Sequence, residues 1–388
     1  MNGSWGAVLA ALVLSLPVRT AGADAIKVGL VTEITGPNAE SGAYSVNGAK
    51  LALEEINAAG GVMGRQIDLK ITDSQSTNPG AVLALSKMAS EGGYTAFIGP
   101  VRSTQIQAMA PTIMKAGLPM MIGGTDPGLT HAKNRWVFRA RPSDAYSAKV
   151  IAEYGTKTLG RKKWAIVHAT DAFGTGGKNA LLDALKERGV TPVLVQGFTS
   201  NTQDFTPIIL AVKQSGADVV GTYIPNSPDV GIFSKQLRQL GVNAEWIGSP
   251  SLVTETAMKL GQEALHGIYS VSDFTPDANP EAKAYAEKYR KKYGVAPDFY
   301  SSWTYDAMKL VAEAIKKANS TKPEDLRNAI LATQGYKGVE GTYNFDKNGD
   351  GLHGYNVVKN DKGKVAFITR IDFPPSQESH GGTASGSQ

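Results

Sequence analysis

Residues 346–351 have the types and spacing of the first half of a calcium-binding loop. They read Asp346-Lys347-Asn348-Gly349-Asp350-Gly351, so carboxylate and amide oxygens alternate along the segment, and these are the ligands that Ca²⁺ prefers. The twelfth position of such a loop needs a bidentate glutamate, and here it is Val357. Because Asp, Asn and Gly also favour tight turns, the preferred interpretation is a hairpin turn.

The other reactive side chains form no recognisable catalytic or metal-binding pattern. The absence of cysteine excludes disulfides, thiolate nucleophiles and cysteine-bound metals. The histidines lie far apart, without the spacing of a ligand pair; they are His131, His168, His266, His353 and His380. The chain contains no phosphate loop, dinucleotide fingerprint or hydrolase elbow. Because catalytic groups are assembled in space, this absence is weak evidence against an enzyme when taken alone. No enzyme activity, metal or cofactor is expected.

Length and charge point to a two-domain globular protein without a nucleic-acid partner. A chain of 388 residues is longer than a single core usually spans. The formal charge of +5 is spread along the sequence without a run of five like charges, so no basic patch for nucleic acid is expected.

The first 23 residues read as a secretory signal peptide. An apolar run from Ala7 to Leu16 is too short to span a bilayer. The small-residue sequence Ala21-Gly22-Ala23 follows and resembles a cleavage site before Asp24. Basic residues are missing from the first six positions, which departs from the usual pattern. We expect an exported protein. Residues 374–388 are polar and show no apolar periodicity, so they are expected to form a disordered tail.

Strand and helix patterns alternate along the chain. Strands are predicted at 26–31, 67–71, 95–98, 119–122, 164–167, 191–198, 218–223 and 245–247. Helices are predicted at 43–59, 81–90, from 103, and at 177–188, 204–215, 228–240, 280–293, 302–319 and 323–333. Short closing strands are predicted at 341–345, 355–359 and 365–371. Such alternation favours parallel sheets with helices on both faces, and its restart at Trp164 indicates a second domain.

An ordered series of motifs resembles the branched-chain amino-acid (Leu/Ile/Val) binding proteins of bacterial ABC transporters. The series is Ile26–Val31, Thr35-Gly36-Pro37, Ile56-Asn57 with Gly60-Gly61-Val62, Asp73-Ser74, Phe97-Ile98-Gly99, Gly124-Thr125-Asp126-Pro127, Ala172-Phe173-Gly174 and Trp303-x-Tyr305-Asp306-Ala307. The resemblance covers residues ~25–373, essentially the mature chain, and is specific as a set.

The resemblance implies the fold of a type I periplasmic binding protein: α/β, with two doubly wound parallel-sheet lobes joined by a three-strand hinge. The crossings are expected near residues 141–145, 272–277 and 344–348. The N-terminal lobe is then 24–143 plus 275–345, and the C-terminal lobe is 144–274 plus 346–373.

The resemblance also implies a ligand site. The carboxylate of the ligand would be held by Ser103, at the start of the helix after the third strand, and by Gly124 and Thr125 after the fourth. A helix N-terminus supplies free N–H groups and positive potential for such a group. The alternative is that Ser103 only caps a helix and Thr125 only forms a turn.

Three further residues complete the predicted site. Ser41 lies on the first loop, where relatives place a side chain over the ligand. Phe173 and Tyr223 would enclose an apolar part of the ligand from the second lobe. Core packing is an equally good interpretation of Phe173.

The loop 248–252 departs from the pattern of amino-acid binders. It reads Gly248-Ser249-Pro250-Ser251-Leu252 and lacks the acid that often pairs with the ligand's ammonium group. Asp171, Asp126 or a tyrosine hydroxyl would have to replace it, or the ligand has no amine. The leading expectation is a small carboxylate, with a branched-chain or hydrophobic amino acid favoured. Aromatic or aliphatic acids, amides, urea and a sensor role are the alternatives.

The expected partners follow from the same resemblance. They are the small-molecule ligand, captured by hinge closure, and an inner-membrane ABC permease with its ATPases. The protein itself is expected to be a monomer.

Overall fold

The computed structural model describes residues 24–375. The expected signal peptide, 1–23, and residues 376–388 of the expected tail lie outside this range. Within it, the long strands form one five-stranded and one seven-stranded sheet, each covered by helices. This arrangement confirms the predicted α/β fold with two lobes. None of the helices between residues 24 and 375 is long and apolar enough to cross a membrane.

The first sheet has the strand order β2-β1-β3-β4-β5, and every pairing in it is parallel. Its strands are β1 (Ile26–Thr32), β2 (Ile67–Asp73), β3 (Tyr94–Ile98), β4 (Met120–Ile122) and β5 (Val137–Arg139). The helices of this lobe are α1 (Ala39–Ala58), α2 (Asn78–Glu91), α3 (Ser103–Ala116), α4 (Gly128–His131), α10 (Pro280–Tyr293), α11 (Phe299–Ala318) and α12 (Pro323–Leu331). A small hairpin joins them, with β11 (Tyr336–Lys337) and β12 (Thr342–Tyr343).

The second sheet has the order β14-β13-β10-β9-β8-β6-β7. Its strands are β6 (Trp164–Ala169), β7 (Leu194–Phe198), β8 (Val219–Tyr223), β9 (Glu245–Gly248), β10 (Tyr269–Ser272), β13 (Gly354–Asp361) and β14 (Lys364–Asp372). The helices are α5 (Asp144–Glu153), α6 (Ala172–Lys186), α7 (Thr206–Ser215), α8 (Ser227–Gln239) and α9 (Glu255–Gly261), with short turns at Tyr154–Thr158, Pro250–Val253 and Gln262–Leu265. The strands β13 and β14 pair antiparallel at one edge.

Local sequence explains where these elements begin and end. The strand β1 is buried along almost its whole length, as expected for a parallel strand covered on both faces. The helix α10 begins after Asn279, whose side chain accepts the N–H of Ala282 (2.7 Å), and it ends at Gly294 in a left-handed conformation. These signals explain why the sequence predicts both ends of α10 correctly.

Three segments connect the two lobes. They are residues 140–143 between β5 and α5, 273–279 between β10 and α10, and 344–353 between β12 and β13. The first two are tied together by a buried ion pair between Arg141 and Asp273. A side-chain ion pair therefore links two of the three connecting segments directly.

Candidate functional site

A cavity lies between the lobes, beyond the carboxyl ends of the parallel strands. This is the edge of an α/β sheet at which ligands usually bind. The first lobe and its crossing line the cavity with Val101, Arg102, Ser103, Thr104, Thr125, Arg141, Phe299 and Tyr300. The second lobe contributes Asp171, Phe173, Pro225, Pro250 and Ser251. A ligand site that closes by movement of the lobes must be lined by both of them, as this cavity is.

The N-terminus of α3 faces this cavity without a capping side chain. The helix begins at Ser103, and the residue at its N-cap position is Arg102, whose side chain makes no cap hydrogen bond. The hydroxyl of Ser103 instead accepts the backbone N–H of Asp126 (3.3 Å). Ser103 is therefore not a helix cap, and the first N–H groups of α3 are available to an anion.

Thr125 connects the cavity to a buried chain of hydrogen bonds. Its hydroxyl donates to the carboxylate of Asp144 (2.6 Å), which also accepts the hydroxyl of Ser147 (3.0 Å). Ser147 in turn lies 2.8 Å from the hydroxyl of Tyr223. Burial raises the pKa of Asp144 to about 6, although the hydroxyls of Thr125 and Ser147 act to lower it. Below about pH 6, protonated Asp144 donates to Thr125 and leaves the hydroxyl hydrogen of Thr125 free for a ligand.

The raised pKa of Asp144 predicts a pH dependence of stability. A folded-state pKa of about 6 against an ordinary value of 3.8 means that the stability contribution is present below about pH 4 and is lost as pH rises through 6. Asp144→Asn cannot titrate, so between pH 4 and 7 the wild type should lose on the order of 2 kcal/mol relative to this variant. Urea denaturation at several pH values measures the difference. Parallel pH profiles of the two proteins would contradict the prediction.

The two predicted aromatic residues occupy different positions. Phe173 lines the cavity. Tyr223 is fully buried behind it, with ring centroids 5.8 Å apart at an interplanar angle of 67°. Tyr223 therefore packs against Phe173 and shares a hydrogen bond with the hydroxyl of Ser147. It does not line the cavity.

Ser41 and Gly124 flank the cavity and are not among its lining residues. The hydroxyl of Ser41 donates to the carbonyl of Asn38 (2.8 Å) in the same turn. The carbonyl of Gly124 accepts a hydrogen bond from Arg139 (2.7 Å), and a side chain at Gly124 would meet Ile106 at 2.5 Å. Gly124 thus allows the loop after β4 to lie close against α3.

Of the two acids considered for a ligand ammonium group, Asp171 lines the cavity and Asp126 does not. Asp171 caps α6 by accepting the N–H of Gly174 (2.8 Å). Asp126 accepts hydrogen bonds from the side-chain amide of Gln107 (2.9 Å) and from the N–H of Gly128 (3.0 Å).

The turn at 346–351 is closed by Asp346, whose carboxylate accepts the N–H groups of Asn348 and Asp350, as the turn interpretation predicts.

Two arginines in the cavity wall were missed by the sequence reasoning. Arg102 directly precedes Ser103, and this adjacency is a signal that could have identified it. Arg141 lies in the first crossing, where it pairs with Asp273 and stacks 4.4 Å from the ring centroid of Phe299. No local pattern places it in the cavity wall, because its position depends on how the lobes come together.

A two-lobed α/β protein whose cavity is lined from both lobes is built as a solute-binding protein of the type I periplasmic fold. The chain belongs to the periplasmic binding protein family, whose model matches residues 25–364.

Individual relatives support the same assignment. The chain is 29% identical over 346 residues to Leu/Ile/Val-binding protein homolog 1 of Brucella melitensis, covering 87% of this chain and 91% of the relative. It is similar in structure to the leucine binding protein LivK of Thermotoga maritima (TM-score 0.83, 26% identity, covering 89% and 99% of the chains). It is also similar to LivJ of Streptococcus pneumoniae in complex with isoleucine (TM-score 0.81, 25% identity, covering 89% and 99%). The predicted resemblance is confirmed.

Proposed function

We propose that this protein is the periplasmic component of an ABC transporter and captures a small carboxylate-bearing solute without transforming it. A branched-chain or other hydrophobic amino acid is the leading candidate. The observation that carries the proposal is the cavity, which combines an uncapped helix N-terminus on one lobe with a carboxylate and an aromatic ring on the other.

An amino acid would use each of these groups. Its carboxylate would accept from the N-terminal N–H groups of α3 and from the hydroxyls of Ser103 and Thr125. Its ammonium group would pair with Asp171, which replaces the acid missing from residues 248–252. An aliphatic side chain would pack against Phe173. The names of relatives such as the leucine binding protein LivK favour this ligand class.

Closure of the lobes would enclose the solute. The proposed lobes are 24–143 plus 275–345 and 144–274 plus 346–373. Side chains of α1 and α9 already meet across the cleft: Tyr44 donates to Glu255 (3.0 Å), and Thr256 donates to Glu40. The closed form of a monomer would then be recognised by a permease with its ATPases. Export by residues 1–23 belongs to the same proposal.

The double variant Ser103→Ala/Thr125→Ala is expected to weaken solute binding at least tenfold, about 1.4 kcal/mol. Both hydroxyls border the cavity, so their loss removes hydrogen bonds to the carboxylate. Titration calorimetry measures the change. The control is Ser90→Ala/Thr202→Ala, which removes one exposed and one half-buried hydroxyl outside the cavity. Equal affinity of the site variant and the control would remove these residues from the site.

The solute for that titration comes from a thermal-shift screen, because a ligand of the folded state raises its melting temperature. Branched-chain amino acids should give the largest shifts. Aromatic carboxylates are the second candidate, favoured by the rings of Phe173, Phe299 and Tyr300 in the cavity wall. A screen in which no carboxylate shifts the melting temperature would contradict the proposal.

A further inference from the structure

The cavity wall contains two guanidinium groups, and they differ in whether their charge is balanced. Arg141 forms a buried ion pair with Asp273 and donates to the carbonyl of Gly123 (3.0 Å). Its charge is neutralised inside the protein. Within residues 24–375, the hydrogen bonds of Arg102 go to neutral acceptors: the side chain of Asn38 (2.9 Å) and the carbonyl of Pro225 (3.0 Å), with Ser41 at 3.5 Å.

The Nε–H of Arg102 is buried and finds no acceptor in the described part of the chain. The charge of Arg102 acts on the carboxylate of Glu33, which is fully buried. One oxygen of Glu33 accepts from Thr32 (3.2 Å) and the other has no partner, so Glu33 makes no hydrogen bond to Arg102. Burial raises the pKa of Glu33, while Arg102 acts to lower it. Among residues 24–375, no carboxylate forms an ion pair with Arg102.

A partly buried guanidinium with a free donor is unfavourable unless an anion accepts that hydrogen bond and balances the charge. The side chain of Arg102 extends from the N-cap position of α3, directly beside Ser103, and both residues line the cavity. An anion bound at the start of α3 therefore lies next to this guanidinium. Hydroxyls such as those of Ser103 and Thr125 hydrogen-bond amides as well as carboxylates, whereas a cation favours the carboxylate.

We propose that Arg102 is the charged donor to the solute's carboxylate, and that it selects acids over their neutral amides. The inference rests on the proposed function and names a binding residue beyond the hydroxyls. Arg102 also joins the two lobes, because α3 belongs to the first lobe and Pro225 to the second. The residue that contacts the carboxylate thus also holds the lobes together, which couples solute binding to closure.

The test compares matched acid and amide pairs: leucine and leucinamide, valine and valinamide, benzoate and benzamide. Calorimetry gives the ratio of the two dissociation constants for wild type, Arg102→Met and Arg102→Lys. Loss of a charge-assisted hydrogen bond should reduce the acid preference by roughly thirtyfold in Arg102→Met. Arg102→Lys keeps the charge and should retain a larger share of the preference. A role in joining the lobes alone would weaken acid and amide equally and leave the ratio unchanged.

The control is Arg135→Met, which removes one positive charge at an exposed ion pair with Glu324, outside the cavity. Its acid-to-amide ratio should equal that of the wild type. Wild-type preference in both Arg102 variants would overturn the inference and leave the proposed function intact. Failure of the wild type to bind any of these acids would instead count against the proposed function. Thermal melts of each variant establish that it is folded, and Arg102→Lys provides the measurement if Arg102→Met is not.

Discussion

Replacing Arg139 by methionine is expected to lower the free energy of unfolding by about 3–5 kcal/mol, because it leaves a buried carboxylate without its partner. Arg139 is completely buried at the end of β5, and its Nε donates to Asp350 in the third crossing (2.7 Å). Burial acts to raise the pKa of Asp350, but Arg139 and His131 hold it well below its usual range. Without Arg139, His131 and nearby dipoles would have to stabilise the charge of Asp350.

The same side chain positions the loop that carries Thr125. Its Nη1 donates to the carbonyls of Gly124 (2.7 Å) and Asp126 (2.9 Å), which lie on either side of Thr125. Arg139→Met should therefore weaken solute binding as well as stability.

Urea denaturation followed by tryptophan fluorescence measures the stability change of Arg139→Met. The control is the double variant Arg139→Met/Asp350→Leu, in which neither charge remains buried, and it should recover most of the loss. If the double variant is as unstable as the single one, the ion pair is not the source of the effect.

The elements that were predicted correctly follow from local patterns, and others were missed for different reasons. A mostly apolar run predicts β1, and a proline start with a glycine end predicts α10. The strand β5 was missed because three residues are too few to show a period. The helix α5 was missed although Ser143 caps it by accepting the N–H of Ala145 (3.3 Å), a signal present in the sequence.

Long-range pairing explains another difference. Residues 355–359 and 365–371 were expected as short closing strands. In the structure they belong to a longer hairpin, and β13 pairs antiparallel with β10, from Tyr269 opposite Lys359 to Ser272 opposite Asn356. More than eighty residues separate these partners in the chain, so no local pattern could show that the hairpin extends the second sheet.

The site was predictable in part. Ser103, Thr125 and Phe173 were predicted from motifs, and the structure brings them to one cavity. The sequence does not determine that Tyr223 lies behind Phe173, because on β8 a shift of one residue decides which face a side chain occupies. Arg102 was missed although it directly precedes Ser103; that no carboxylate among residues 24–375 forms an ion pair with it becomes visible only once the lobes are assembled.

Replacing Trp303 by alanine is expected to lower the free energy of unfolding by about 3–5 kcal/mol through the cavity it creates. Trp303 is fully buried in α11, in the core of the first lobe. Its ring lies directly against Gly123, where an added Cβ would be 2.7 Å away. The ring therefore supports the chain that leads from β4 to Thr125.

Trp303→Phe is the matched variant, because it keeps most of the apolar volume. The indole Nε1 of Trp303 is buried and has no hydrogen-bond partner among residues 24–375, so losing this donor removes an unfavourable group. We expect Trp303→Phe to lower the free energy of unfolding by only about 1–2 kcal/mol, because removal of the unsatisfied donor partly offsets the loss of packed volume. Urea denaturation of both variants measures the difference. Equal losses would show that the indole nitrogen, rather than the packed volume, stabilises this part of the core, through a partner such as a buried water.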